Sequence, residues 1–473
     1  MSQMSAKLII KNLFSLTMAE VISKAIGLIT TAYLARAIQP EGFGIIGFAS
    51  SFVAYFTLLV NLGFDALGTR EIARDREVIR KYVNNIVTIR LILAVFGYAT
   101  FLIVVMMIDK TSLIKTVLMV MGLGIFANAF LLNWVFQGIE KMEVIALRQI
   151  LTSFLILIGV VLLVHDYNDV IWFVLVSVFA STINTVWMLK LYIRSFGKIK
   201  LSFDTVFWRW MLRAALPMAF SSFMTAIYYN LDIVMLGFLK TEHEVGLYNA
   251  AYKILLMGII PANIICKAFF PQIARSLNDK AKMISLMKKY SVLMFIVGFF
   301  LASGGITFAK DMIVVIFGAS YLESDLVLKI LMVNLVFVYI NITYGNPLLA
   351  WNKQKTYMYA ISLGGVGNII LNMMLIPAYG MAGAAVATVL SEVIVLCGLS
   401  YLHYLTIKTL YLLNLVKIIG ISAVSFGFAS YMIQYNLNIL LNLLLTGLLF
   451  AMLNFLFRTI QLREIKGHLR SNI

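Results

Sequence analysis

The chain alternates long apolar runs with short charged ones. Reading the runs between charged residues and Pro or Gly breaks gives fourteen of them. They lie near 12–35, 43–68, 84–108, 113–137, 145–164, 170–193, 213–238, 246–273, 289–309, 327–350, 356–376, 381–404, 411–433 and 438–458. A helix needs about 20 predominantly apolar residues to cross a bilayer. Runs of that length predict membrane-spanning helices rather than a barrel, whose strands are half as long. The expected fold class is therefore an all-α integral membrane protein with about 14 transmembrane helices.

The pattern also repeats. Leu34, Gly44 and Ala49 recur as Leu236, Gly246 and Ala251, offset by 202 residues. Glu71-Ile-Ala-Arg74 recurs as Gln272-Ile-Ala-Arg275, offset by 201. Glu140-Lys141 corresponds to Gln354-Lys355, and His165-Asp-Tyr167 to Pro377-Ala-Tyr379. Runs 1–6 thus match runs 7–12 in the same orientation, as in transporters built of two parallel halves. This predicts a six-helix half over 1–200 and a second over 201–408, facing each other across a central cavity. Two unmatched helices and a tail, 409–473, are appended.

Composition agrees. Of 473 residues, 62% are apolar and 12% charged. A soluble domain runs near 45–50% apolar and about 25% charged, so a water-soluble, disordered or disulfide-scaffold chain is excluded. Net charge is +17, which in a soluble protein would suggest nucleic acid. In a membrane protein it reads instead as the Lys/Arg excess of cytoplasmic loops. Under one alternation of the loops, one side holds Arg36, Lys110, Lys115, Lys240 and Lys310. The other holds most of the remaining loop charges, from Lys7 and Lys11 to Arg463, Lys466 and Arg470. Both termini are accordingly expected in the cytoplasm, in the plasma (inner) membrane. Met1–Lys11 reads as a polar lead with no A-x-A-like cleavage site. Cys266 and Cys397 lie in apolar runs, so no disulfide or metal framework is implied.

Ionisable residues inside spans are expensive and tend to be functional. Run 1 carries Glu20, Ser23, Lys24, Gly27 and Thr31 on one helical face, and run 7 carries Ser221, Thr225, Tyr228 and Asp232 likewise. Run 8 carries Asn249, Lys253, Asn263 and Lys267 on one stripe, while Arg90 lies in run 3 and Glu392 in run 12. The bland reading competes at each. Glu20 and Lys24 form an i,i+4 pair, and Arg90 and Lys267 sit near span ends where long side chains snorkel. Pro217, Pro261 and Pro347 favour kinks. Gly364-Gly365-x-Gly367 reads as close helix packing. No phosphate-binding glycine loop, metal-ligand cluster or protease motif is present, so neither an enzyme nor a cofactor is expected.

Several stretches have a familiar form. They are Leu34–Gly44 (LARAIQPEGFG), Asn61–Asp65 (NLGFD), Tyr229–Gly237 (YNLDIVMLG), Val245–Ala251 (VGLYNAA) and Ile376–Ala385 (IPAYGMAGAA). The chain resembles the Wzx-type polysaccharide and O-antigen repeat-unit flippases, within the multidrug/oligosaccharidyl-lipid/polysaccharide exporter superfamily. That resemblance implies flipping of polyprenyl-pyrophosphate-linked oligosaccharide, by alternating access, from the cytoplasmic to the outer face. On it, Lys24, Arg90, Lys253 and Lys267 are expected to meet the pyrophosphate. Tyr228, Tyr229, Asn230, Asn249, Tyr252 and Asn263 are expected to meet the sugars. Glu20, Asp232 and Glu392 are expected to hold a coupling ion, proton or sodium, or cavity ion pairs. Membrane lipid is a partner, a polysaccharide polymerase and a chain-length regulator are admitted, and nucleic acid is not expected. The alternatives are a cation-coupled multidrug antiporter of the same superfamily and a peptidoglycan-precursor flippase.

Overall fold

The computed structural model describes residues 3–277, 279–435, 438–457 and 459, with side chains from Met18 onward except at 439 and 440. The side chains of Lys7, Lys11, Arg458, Arg463, Lys466, His468 and Arg470 lie outside the described residues. Every regular element among the described residues is helical. Residues Met1–Gly246 and Leu247–Ile473 form two compact units.

The first unit holds α1 (Gln3–Asn61), α2 (Phe64–Arg74), α3 (Ile79–Met107), α4 (Ser112–Gly122), α5 (Gly124–Ala129) and α6 (Asn133–Gly138). It continues through α7 (Met142–Leu163), α8 (Val170–Phe196) and α9 (Thr205–Leu239) to the first turn of α10 (Glu242–Arg275). The second unit holds the rest of α10, then α11 (Lys280–Thr307), α12 (Ala309–Ile316) and α13 (Ser324–Ala350). It ends with α14 (Gln354–Ile407), α15 (Leu412–Gln434) and α16 (Ile439–Leu456).

Among the described residues, eleven helical segments are long and apolar enough to cross a membrane. Two of them are double. In α1 the backbone breaks at Gln39 (φ 61, ψ 174), and Pro40 opens the second half. Proline fits a first helical turn because its missing N–H has no partner there anyway. In α14 the break is at Gly380 (φ 55, ψ −134), a conformation glycine adopts without a Cβ clash. With both divided, and the shorter apolar helix Leu441–Leu456 included, the fourteen apolar runs each find their helix. Run 4 is fragmented into α4, α5 and α6. Pro217, Pro261 and Pro347 lie inside α9, α10 and α13, and Pro271 joins them in α10. The pronounced backbone breaks fall elsewhere, at Gln39 and Gly380.

Lipid tails are as apolar as leucine, so helices in a bilayer associate through close packing and small residues rather than through hydrophobic burial. Glycines supply that approach here. A Cβ on Gly68 would meet the Trp134 ring at 2.3 Å, and one on Gly159 would meet Val176 at 2.5 Å. In the second unit, Gly298 lies against Tyr339, and a Cβ on Gly305 would lie 2.3 Å from the Met332 sulfur. The run-11 glycines divide. A Cβ on Gly364 would meet Val395 at 2.1 Å and one on Gly367 would meet Ile394 at 2.8 Å, whereas one on Gly365 would meet nothing within 4 Å.

The closest crossing in the first unit joins residues 40–44 to 242–246. A Cβ on Gly44 would lie 1.8 Å from the Glu242 carbonyl oxygen, and one on Gly246 would lie 1.9 Å from the Pro40 oxygen. These are the two glycines that the repeat equates. Ion pairs flank the crossing, Glu41 to His243 at 2.8 Å and Lys110 to Glu242 at 2.8 Å. One helical turn further along α1, Phe48 covers Gly237, whose added Cβ would stand 2.1 Å from the ring. Phe48 also meets Phe238 edge-on at 5.3 Å.

Candidate functional site

In the first unit the polar face of α1 is preserved. Lys24 and Glu20 form an ion pair at 2.9 Å, both side chains more than a third exposed. On α9 the hydroxyls of Ser221 and Thr225 donate to carbonyls one turn back, at 3.2 and 2.9 Å. Such back-bonding satisfies a hydroxyl inside an apolar helix without a partner from elsewhere. Tyr228 and Tyr229 stack edge-on at 5.4 Å, with Tyr229 exposed. Asn230 donates to the Ala226 carbonyl at 3.1 Å. Asp232 is buried.

Arg90 has a different setting from the one its position in run 3 suggests. It is 1% exposed, and its Nη2 donates to Asp65 Oδ1 at 2.7 Å and to Asn61 Oδ1 at 2.6 Å. Asn61 in turn donates to the other Asp65 oxygen at 2.6 Å. Arg90 does not snorkel; it is held by the elbow between α1 and α2. That elbow turns on Leu62 (φ 43) and Gly63 (φ 74). A Cβ on Gly63 would lie 2.7 Å from the Ala219 amide nitrogen of α9. The NLGFD stretch therefore has a physical rationale. Its glycine makes the turn, its Asp neutralises a buried guanidinium and its Asn accepts a hydrogen bond from it.

In the second unit, α10 presents Asn249 and Tyr252, both buried, and Lys253, half-buried, on consecutive turns. Tyr252 stacks on Tyr248 at 5.8 Å, and the Tyr248 hydroxyl meets Thr388 Oγ1 at 3.4 Å. No ion pair or hydrogen bond joins Lys253 to another described residue. Asn263 and Lys267, further along α10, are exposed. Glu392 on α14 is buried, and its carboxylate accepts from the Asn341 amide of α13. Asn341 also donates to the Glu392 backbone carbonyl at 3.0 Å.

The structure thus brings Glu20 to Lys24, Tyr228 to Tyr229, and Tyr252 with Asn249 beside Lys253. Sequence reasoning missed Asn61 and Asp65 as partners of Arg90. It also missed a set of buried amides, Asn334 and Asn341 on α13 and Asn368 and Asn372 on α14. Asn372 donates to Asn368 Oδ1 at 3.0 Å. Their signal was present, because amides spaced by four or seven in otherwise apolar runs share one helical face. Chemically, an ammonium beside an amide and a tyrosine ring suits an anionic group attached to a hydroxyl-rich body. No group of three or more His, Cys, Asp or Glu side chains able to hold a metal is found among the described residues.

A bundle of apolar helices carrying buried polar side chains defines a multi-pass α-helical membrane protein of a transporter fold. The backbone superposes on the lipid II flippase MurJ in an inward closed conformation with a TM-score of 0.77, at 18% identity over 93% of this chain and 98% of that one. Residues 9–277 match the model of the polysaccharide biosynthesis protein family, and the chain belongs to that family. It is 23% identical to a protein of Escherichia coli K12 described as "Putative O-antigen transporter", over 81% of this chain and 94% of that one. It is also 23% identical to the capsular polysaccharide biosynthesis protein CapF of Staphylococcus aureus, over 83% of this chain and 99% of that one.

Proposed function

We propose that this protein flips polyprenyl-pyrophosphate-linked oligosaccharide repeat units, of the kind that build O-antigen or capsule, from the cytoplasmic to the outer face of the plasma membrane. The observation that carries the reading is the family match, together with relatives of O-antigen and capsule biosynthesis aligned over four-fifths of the chain. The physical need for a carrier is plain. A hydroxyl stripped of water without a partner costs roughly 2–7 kcal/mol in apolar surroundings, and a pyrophosphate costs more. A polar site replaces that water while the prenyl tail stays in lipid.

Among the cations, Lys253 is best placed to meet the pyrophosphate. Lys24 is engaged by Glu20 and Arg90 by Asp65, whereas Lys253 carries no such neutralising contact. Within the second unit, Asn249 and Tyr252 on the same helix are then the sugar-binding groups, with the exposed Asn263 and Lys267 as further contacts; within the first unit the sugar-binding candidates are Tyr228, Tyr229 and Asn230 on α9. Glu20, Asp232 and Glu392 are the acids that could carry a coupling proton or sodium ion. An inside-negative potential drives an anion outward by about 2.3 kcal/mol per charge per 100 mV, so the potential adds to the drive with or without a bound ion. The fold likeness to MurJ favours a peptidoglycan precursor as the second reading, since its head group shares the pyrophosphate chemistry.

The test is complementation in the native host lacking the gene. Losing one charge-assisted contact costs about 1.5–3 kcal/mol, at least about tenfold. Lys253→Met should lower export of surface polysaccharide by that factor at equal membrane level, with lipid-linked units building up inside. Lys253→Arg should retain most export. Full export by Lys253→Met would remove Lys253 from the site. Normal surface glycan in the deletion strain itself would overturn the function.

A further inference from the structure

The span connector between α8 and α9 is built unlike a loose loop. Both helices are long and apolar enough to cross a membrane, so residues 197–204 lie at a membrane face whichever way the chain is inserted. Their backbone is pinned to α3. Arg80 donates to the Phe196 carbonyl at 2.6 Å, the Lys200 amide donates to Asn84 at 2.9 Å, and the Ser202 amide donates to Thr88 at 3.0 Å. Trp208 at the start of α9 donates its indole N–H to Asn85 at 2.8 Å. With the strap held on one side, Lys198, Lys200, Leu201 and Phe203 are exposed.

The first turns of α9 continue that surface. Met211 and Ala215 are buried against the first unit's core, with Phe207 packed beside them. Val206, Arg209, Trp210 and Arg213 are exposed at helical spacing on the other side. Lys190 and Arg194, at the end of α8, are exposed too. Between 190 and 213 Asp204 stands as the one acid, and it is spent as the cap of α9, accepting from the Phe207 amide at 2.9 Å. None of Lys190, Arg194, Lys198, Lys200, Arg209 and Arg213 has an ion-pair partner among the described residues.

We infer that this strap and the first turns of α9 bind the head groups of anionic phospholipids in the adjoining leaflet. The basic side chains meet the phosphates, while Trp210, Phe203, Leu201 and Val206 enter the interfacial layer. Amphipathic aromatic side chains favour that layer, and each Lys or Arg held near an anionic surface is worth about a fivefold gain in partition. Pinned backbone adds to this, because an ordered strap loses less freedom on binding than a mobile loop. The inference does not depend on what the protein carries.

The full-length protein, extracted from vesicles of mixed phosphatidylcholine and phosphatidylglycerol, provides the test. The wild type should retain phosphatidylglycerol in preference to phosphatidylcholine. A variant with Lys198, Lys200, Arg209 and Arg213 changed to Gln should lose that preference by about tenfold or more. A control changing Lys280, Lys282, Lys288 and Lys289 to Gln should keep it, as should the conservative Arg209→Lys/Arg213→Lys pair. Thermal unfolding of each variant in phosphatidylcholine alone confirms a folded protein. The proposal is overturned if the strap variant keeps the preference, or if both fourfold variants lose it equally, which would mean diffuse charge.

Discussion

Replacing Gly44 with valine is expected to destabilise the protein by about 3 kcal/mol, at or beyond the upper end of the usual cost of overpacking. An added Cβ meets the Glu242 carbonyl oxygen at 1.8 Å and the Gly246 amide nitrogen at 2.8 Å. Both are backbone atoms, so no rotamer change relieves the clash. The two segments must separate, and the flanking pairs of Glu41 with His243 and Lys110 with Glu242 separate with them. Gly246→Val should act in the same way through the Pro40 oxygen at 1.9 Å. The matched control is Gly27→Ala, where nothing lies within 4 Å of the added carbon. Thermal unfolding in detergent should show a large fall for Gly44→Val and none for Gly27→Ala. Equal stability of Gly44→Val and wild type would mean that the crossing is not close-packed.

The second large effect concerns Asp65. Removing one partner of a buried ion pair leaves an uncompensated charge and costs about 3–5 kcal/mol when both are buried. Asp65 is about half exposed while Arg90 is 1% exposed, so Asp65→Ala should cost somewhat less, on the order of 2–3 kcal/mol. Arg90 would keep the Asn61 contact alone. Arg90→Met together with Asp65→Ala should be less damaging than the sum of the two, because residues in contact couple. Additive losses in that double-mutant cycle would show that the pair does not hold the elbow. The same cycle separates two roles for Arg90. If Arg90 serves to anchor NLGFD, Arg90→Met loses export only as far as it loses folded protein.

The spans were legible because each bilayer crossing must bury some twenty apolar residues, and fourteen such runs are separated by charge or by Pro and Gly. The repeat was legible in Gly44 and Gly246, but their contact was not, since periodicity along one helix says nothing about which helices meet. The same limit hid the partners of the buried charges. Asp65 precedes Arg90 by 25 positions, and Asn341 precedes Glu392 by 51. Lys24 with Glu20 could be read directly because both lie on one helix, four apart. Pro217, Pro261 and Pro347 are accommodated inside helices. The chain breaks instead where Gln39 and Gly380 take positive φ, next to Pro40 and shortly after Pro377. Likewise, the short apolar fragments of run 4 carry no pattern that marks where one continuous helix gives way to three.

The most direct test of transport is made with purified protein in vesicles carrying a fluorescent polyprenyl-pyrophosphate oligosaccharide in one leaflet and an impermeant sugar-cleaving enzyme on the opposite side. Cleavage should depend on the protein, speed up when the potential is negative on the loaded side, and fall about tenfold with Lys253→Met. Cleavage no faster than in vesicles without protein would contradict the proposed function.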